Sequence, residues 1–139
     1  MPPADTFVHH THVRVRYAET DAMGVAHHAQ YLVWFELART DYLRACGRRY
    51  RDLEHEGVLL PVSDVSIRMM SPARYDDELD LACWITRVRS RTVTFAYEVA
   101  GGDEATLFAR GNTTLICTGR DLRPRSIPPE LVELLRAAG

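Results

Sequence analysis

The chain has 139 residues, 46% of them apolar and 26% charged, with 17 Lys+Arg against 19 Asp+Glu, a formal net charge of -2 and a pI near 6.3. That length suits one ordinary globular domain, residues 1–139, with a core of its own and no room for a second. The scattered, nearly balanced charges leave no cationic footprint for nucleic acid, and without a basic-then-apolar leader or a long apolar run a cytoplasmic protein lacking a transmembrane segment is expected.

Met1 to Asp5, with two prolines, reads as a loose tail. From Thr6 to Tyr17 the residues Val8, Val13, Val15 and Tyr17 predict a strand, with apolar and Arg residues alternating over Val13–Tyr17. A polar, Gly-containing loop follows, and then Leu32, Phe35, Leu37, Ala38, Tyr42, Leu43 and Cys46 recur at three and four. The spacing predicts a helix over Ala29–Cys46, about 25 Å long at 1.5 Å per residue, stopped by Gly47. Its first half is apolar on nearly every side, so it is expected to be wrapped by the rest of the fold. Glu36 and Arg39, three apart on it, suit a surface pair.

The polar stretch Arg48–Gly57 suits a short helix. Strands are predicted over Val58–Met70, interrupted at Pro61, then Leu79–Val88, Thr92–Val99 and Thr106–Thr118. Their junctions, Ser71-Pro72 with Tyr75-Asp76-Asp77, Arg89-Ser90-Arg91 and Gly101-Gly102-Asp103, are turn-like and short, which implies an antiparallel sheet. The closing SIPPELVELLRAAG reads as a terminal helix opened by proline. One antiparallel sheet of five strands around one central helix, an α+β fold, satisfies this order. Cys46, Cys83 and Cys117, odd in number and without C-x-x-C spacing, are expected to be reduced, buried and small-hydrophobe-like.

Chemistry concentrates where the loop meets the helix. Asp21 supplies a carboxylate that can attack a carbonyl or activate water, or can equally cap a turn. Gly24 permits a close backbone turn, and N–H groups around His28 and Ala29 are expected to be unpaired at the positive end of the helix, where a substrate oxygen can be held. No G-x-S-x-G occurs, and a thioester suits a site with one carboxylate and no strong general acid, because a thiolate leaves readily.

The run Y-x-E-T-D-x-x-G-V-x-x-H-x-x-Y-L-x-W-F-E-x-A-R, from Tyr17 to Arg39, resembles the signature of the hotdog-fold acyl-CoA thioesterases of the 4-hydroxybenzoyl-CoA thioesterase and YbgC/FadM type. The similarity extends to LLPVSDVSIRMMSPARYDDEL at 59–79 and to the terminal IPPEL. The resemblance implies a hotdog fold and an acyl-CoA thioesterase with Asp21, His28 and Tyr17 as the catalytic set. It implies Gly24, Val25, His27, Ala29 and Tyr31 as substrate-binding positions. A homodimer, assembling to a tetramer, is expected because the fold leaves one sheet edge exposed that two copies can pair; the substrate is expected to be acyl-CoA or an acyl carrier protein thioester, with no cofactor. Two positions depart from the family pattern: Glu19 stands where Asp is usual and His27 where an aromatic residue is common, and both are expected to tune the acyl pocket.

Other features have plainer readings. His9, His10 and His12 lack zinc-ligand spacing, so no metal is expected. Asp76, Asp77 and Glu78 fit a solvated turn, and Arg87, Arg89 and Arg91 fit either a solvated face or contacts to coenzyme A phosphates. Glu36 is the alternative catalytic acid. Two rival functions share the features: a hydratase or dehydratase on thioesters, and a non-catalytic module that binds acyl groups or partners.

Overall fold

A computed structural model describes residues 2–102 and 105–139. The expected turn residue Asp103 lies outside the described residues. Five strands form one sheet: β1 (His9–Arg14), β2 (Val62–Met69), β3 (Glu78–Val88), β4 (Thr92–Gly101) and β5 (Thr106–Ile116). Every pairing is antiparallel and the order is β1-β3-β4-β5-β2. In β4 the side chains of Val93, Phe95, Tyr97 and Val99 are buried, while the residues between them stay half-exposed, as the two-residue pleat requires.

Helix α1 (Gln30–Ala45) lies across this buried face and packs on β1, β3 and β4. It buries Tyr31, Trp34, Phe35, Ala38, Tyr42 and Leu43, a stripe with helical spacing. At its centre the Phe35 ring stacks on Tyr97 at 4.2 Å and 7°, and the Tyr97 hydroxyl shares a 2.6 Å hydrogen bond with Thr113. Two turns further along, Tyr42 meets Phe95 edge-on.

The contact at Phe35 requires glycine beneath it. A β-carbon on Gly111 would lie 2.4 Å from the Ser66 carbonyl oxygen and 2.8 Å from the Phe35 ring, so β5 can approach both β2 and the helix only at a residue without a side chain.

Within one chain the helix is not wrapped all round, contrary to the expectation from its girth. Leu32, Val33 and Leu37 are 42%, 53% and 42% exposed. Of the helix-side residues of β2, Ile67 packs partly buried against the core while Val65 and Met69 are exposed, because α1 stops short of the β2 edge of the sheet.

Boundaries differ where main-chain partners decide them. β1 begins at His9, not Thr6, since Phe7 donates its N–H to Ala138 of the terminal helix. It ends at Arg14, and Tyr17–Glu19 coil into one 3-10 turn. β2 begins only after Pro61, which has no N–H for a ladder. Two further helices, α2 (Tyr50–His55) and α3 (Pro129–Ala138), fall within their expected stretches, α3 opening on proline and burying Leu131 and Leu135.

Cys83 and Cys117 are buried free thiols and Cys46 is half-buried. Among the described residues no helix is long and apolar enough to cross a membrane.

Replacing Gly111 by Ala is expected to lower the unfolding free energy by about 1–3 kcal/mol through overpacking. Urea titration reads this directly, and an unchanged midpoint would show that Phe35 and β2 can yield at no cost.

Candidate active site

The loop from Tyr17 to Ala29 is held almost entirely by its own main chain. Thr20 donates to Tyr17 O, Asp21 donates to Val25 O at 2.9 Å and Gly24 donates to Asp21 O at 2.9 Å. Gly24 has φ of +79°, the left-handed turn that glycine adopts without penalty. The turn then docks on the β2–β3 link: Ala26 N–H bonds Ala73 O at 2.7 Å, and Val25 bridges to Arg74.

Within this turn the Asp21 carboxylate is divided between two tasks. Its Oδ1 accepts the Met23 N–H at 2.8 Å, the local bond by which Asp closes a turn. Its Oδ2 has no protein partner among the described residues. One oxygen therefore fixes the orientation of the carboxylate and leaves the other available.

A cleft of about 330 Å³ opens beside it. One wall is Asp21, Val25, His28 and Tyr31; the other is Met69, Met70 and Pro72 from the end of β2. Tyr31 is tied to the Ala73 backbone by its hydroxyl, and burial pushes that hydroxyl's pKa upward.

Contrary to the expectation of unpaired N–H groups at His28 and Ala29, the amides ahead of α1 are not all free. His27 donates to Glu19 O at 2.8 Å. The Ala29 N–H donates to His27 Nδ1 at 3.1 Å. His28 N–H alone has no acceptor among the described residues, and His28 is the one of the three that lines the cleft.

Asp21, Val25, His28 and Tyr31 are thus brought together. Four other expected residues do not line the cleft. Tyr17 is 78% exposed and stands edge-on to Tyr75. Gly24 shapes the turn from outside, and Ala29 has its amide occupied. His27 stacks on His28 at 4.4 Å and serves as the acceptor for that amide.

Glu19, expected to tune the pocket, is turned away from it: the side chain is buried and bonds Arg16 and Gln30. Glu36 is exposed on α1 and absent from the cleft. The Met69-Met70 wall was not anticipated, although two adjacent methionines closing a strand are the kind of adaptable apolar group a ligand pocket uses.

The remaining polar clusters take structural roles. Asp77 accepts the Arg74 N–H at 2.8 Å, closing the turn before β3. His10 and His12 both bond Asp80, at 2.8 and 3.2 Å, which ties β1 to β3. Among the described residues no three His, Cys, Asp or Glu side chains are placed to hold a metal ion.

Asp21, with one unengaged carboxylate oxygen, and His28, with an unpaired amide among the described residues, thus line the same cleft. Comparison with known proteins identifies the family. The family model described as the Thioesterase superfamily matches residues 23–108, starting just after Asp21. The acyl-CoA thioester hydrolase YbgC of Escherichia coli O6:H1 is 33% identical over 121 residues, 86% of this chain and 90% of that one. YneP of Bacillus subtilis, also named for acyl-CoA thioesterase activity, is 39% identical over 87 residues, 63% of each chain. The DHNA-CoA thioesterase from Staphylococcus aureus superposes with a TM-score of 0.88 at 31% identity, over 93% of this chain and 89% of that one. The chain belongs to the thioesterase superfamily, as a hotdog-fold enzyme of the YbgC type.

Proposed function

We propose that the protein hydrolyses acyl-CoA thioesters to a free carboxylic acid and coenzyme A, with Asp21 as nucleophile or general base. The observation that carries this is the unengaged Oδ2 of Asp21 in the same cleft as the unpaired His28 N–H. The names of the E. coli and S. aureus relatives support coenzyme A as the carrier.

The thioester carbonyl lies against His28 N–H, which stabilises the charge that builds on its oxygen. Asp21 Oδ2 attacks the carbonyl carbon or takes a proton from the water that does. The C–O bond forms, the C–S bond breaks, and the electron pair leaves on sulfur; where Asp21 is the nucleophile, water then cleaves the resulting anhydride to free acid and the Asp21 carboxylate, and where it is the base, its proton passes to the thiolate. A thiol with a pKa near 8.5 departs as thiolate and needs no general acid. No cofactor takes part.

The cleft is open on the side of the β2 edge, and a second copy of the chain suits that edge. Residues Asp64, Ser66 and Arg68 lie on the helix-free face of the sheet, and Val65, Ile67 and Met69 on the helix side. Two copies of β2 running antiparallel about Ser66 bring Asp64 of each opposite Arg68 of the other, and Val65 opposite Ile67. Such pairing offsets the like charges of Arg68 and Arg110, which face each other across β2 and β5. It also covers the exposed helix-side residues of β2 and lays Val62 of one copy beside Met70 of the other, closing the cleft. Arg89 and Arg91 lie at the same end of the sheet as the start of β2, so this pairing carries cationic groups toward the neighbour's cleft, where coenzyme A phosphates need them.

Thiol release from a panel of acyl-CoA substrates tests the activity. Asp21→Asn is expected to lower kcat by about 10²–10⁴-fold, whereas His28→Ala, which keeps the amide, is expected to cost less than about tenfold. Equal rates for wild type and Asp21→Asn would move the chemistry elsewhere, and no release from any substrate would end the hydrolase reading.

Sedimentation tests the edge. Asp64→Arg or Arg68→Asp alone is expected to weaken the dimer by roughly tenfold, and the two together to restore it, since each pair contributes up to about 1 kcal/mol and occurs twice. A wild-type protein that stays monomeric at micromolar concentration would overturn the pairing.

A further inference from the structure

Among the described residues Glu19 is the one buried acid, and the proposed reaction does not use it. It is 7% exposed, lies two residues before Asp21, and does not line the cleft. Its Oε1 accepts the Arg16 N–H at 2.7 Å, and its Oε2 accepts from Gln30 Nε2 at 2.7 Å and from the Arg16 guanidinium at 3.4 Å. Its own main-chain oxygen accepts the His27 N–H at 2.8 Å.

We propose that Glu19 and Gln30 form a positioning pair that sets the distance between the Asp21 carboxylate and the His28 amide. This rests on the hydrolase reading given above.

The pair spans the loop at both ends. Through its side chain Glu19 holds residue 16, where the chain leaves β1, and residue 30, the first residue of α1. Through its main chain it holds residue 27. His28 therefore sits between two positions, 27 and 30, that are both bonded to Glu19, while Asp21 is carried on the turn that begins at the next residue.

Asp21 and His28 are not hydrogen-bonded to each other, so their separation depends on what fixes each of them. The neighbouring anchors fix position only locally: Met23 orients the Asp21 carboxylate within its turn, and His27 Nδ1 holds the Ala29 amide. The Asp21–Val25 bond and the Thr20–Ala26 bridge close the turn short of the helix, and the Glu19 side chain carries the link on to Gln30, the first residue of α1.

The choice of residue is informative. Closing a loop for stability does not need a buried carboxylate, whose desolvation must be recovered by charge-assisted bonds. What such a group adds over apolar packing is direction: a hydrogen bond fixes the positions of its partners within tenths of an ångström, and catalysis is sensitive on that scale. The Arg16 guanidinium on the outer side limits the negative charge that Glu19 projects toward Asp21.

The experiment measures thiol release and thermal midpoint for wild type, Gln30→Glu, and the exchanged pair Glu19→Gln with Gln30→Glu. Gln30→Glu sets two carboxylates against each other; a fall in kcat on the order of 10–100-fold with KM within about threefold is expected, since misplacement by an ångström costs that much. The exchanged pair rebuilds one amide and one carboxylate, and kcat is expected to return to within about fivefold of wild type.

A loss that the exchange does not recover, or a KM increase with unchanged kcat, overturns the proposal. Gln30→Leu serves if Gln30→Glu does not fold: a kcat equal to wild type would likewise overturn it. Asp21→Asn in the same assay keeps the two readings apart. If it abolishes release while Gln30→Glu and Gln30→Leu do not lower it, only the positioning pair fails; if it leaves release intact, the assignment of Asp21 fails.

Discussion

Everything at the cleft depends on how α1 is seated on the sheet. Phe35 lies flat on Tyr97 over a strand that carries no side chain at Gly111, and this stack fixes the helix in translation as well as in depth. Tyr31, one turn before Phe35, is then buried at the edge of the sheet with its hydroxyl on the Ala73 backbone. The helix start, and with it His28, cannot move relative to the β2–β3 link without breaking aromatic contacts that are among the most buried in the molecule.

Against that scaffold the loop solves a problem of competing demands. A carboxylate that is to react must be held still, yet any hydrogen bond that holds it also occupies a lone pair. Asp21 meets both demands by giving one oxygen to the Met23 amide and keeping the other. The turn-forming role of Asp21 therefore leaves an oxygen for the chemistry proposed above. At the helix start the His27 ring occupies the Ala29 amide, while the His28 amide has no acceptor among the described residues.

The molecule is asymmetric in what it covers. On β1, β3 and β4 the sheet is capped by α1, while Val65 and Met69 of β2 and the outer residues of α1 remain open to solvent. An edge strand with unpaired main-chain groups and exposed apolar side chains is a surface that soluble proteins ordinarily protect. That this edge also borders the cleft links the completeness of the site to what covers the strand.

The period-two alternation of β4 and the three-and-four recurrence of α1 were legible in the sequence because both follow from local geometry: the pleat and the helical turn dictate which side chains share a face. Turn residues gave the antiparallel links, and the Tyr17–Arg39 run located the loop that borders the cleft. The ends of β1 were not legible, because they are decided by distant partners, Ala138 on one side and Asp76 and Asp77 on the other. Within the site, the sequence by itself singled out Asp21 and His28 by residue type and spacing. Tertiary structure alone decided that Tyr17 and Glu19 turn away, that Ala29 has lost its free amide, and that Met69 and Met70 form the facing wall. The physical reason is that a titratable side chain announces its chemistry locally, whereas its direction, and the residues it meets, are set by packing between segments some forty residues apart.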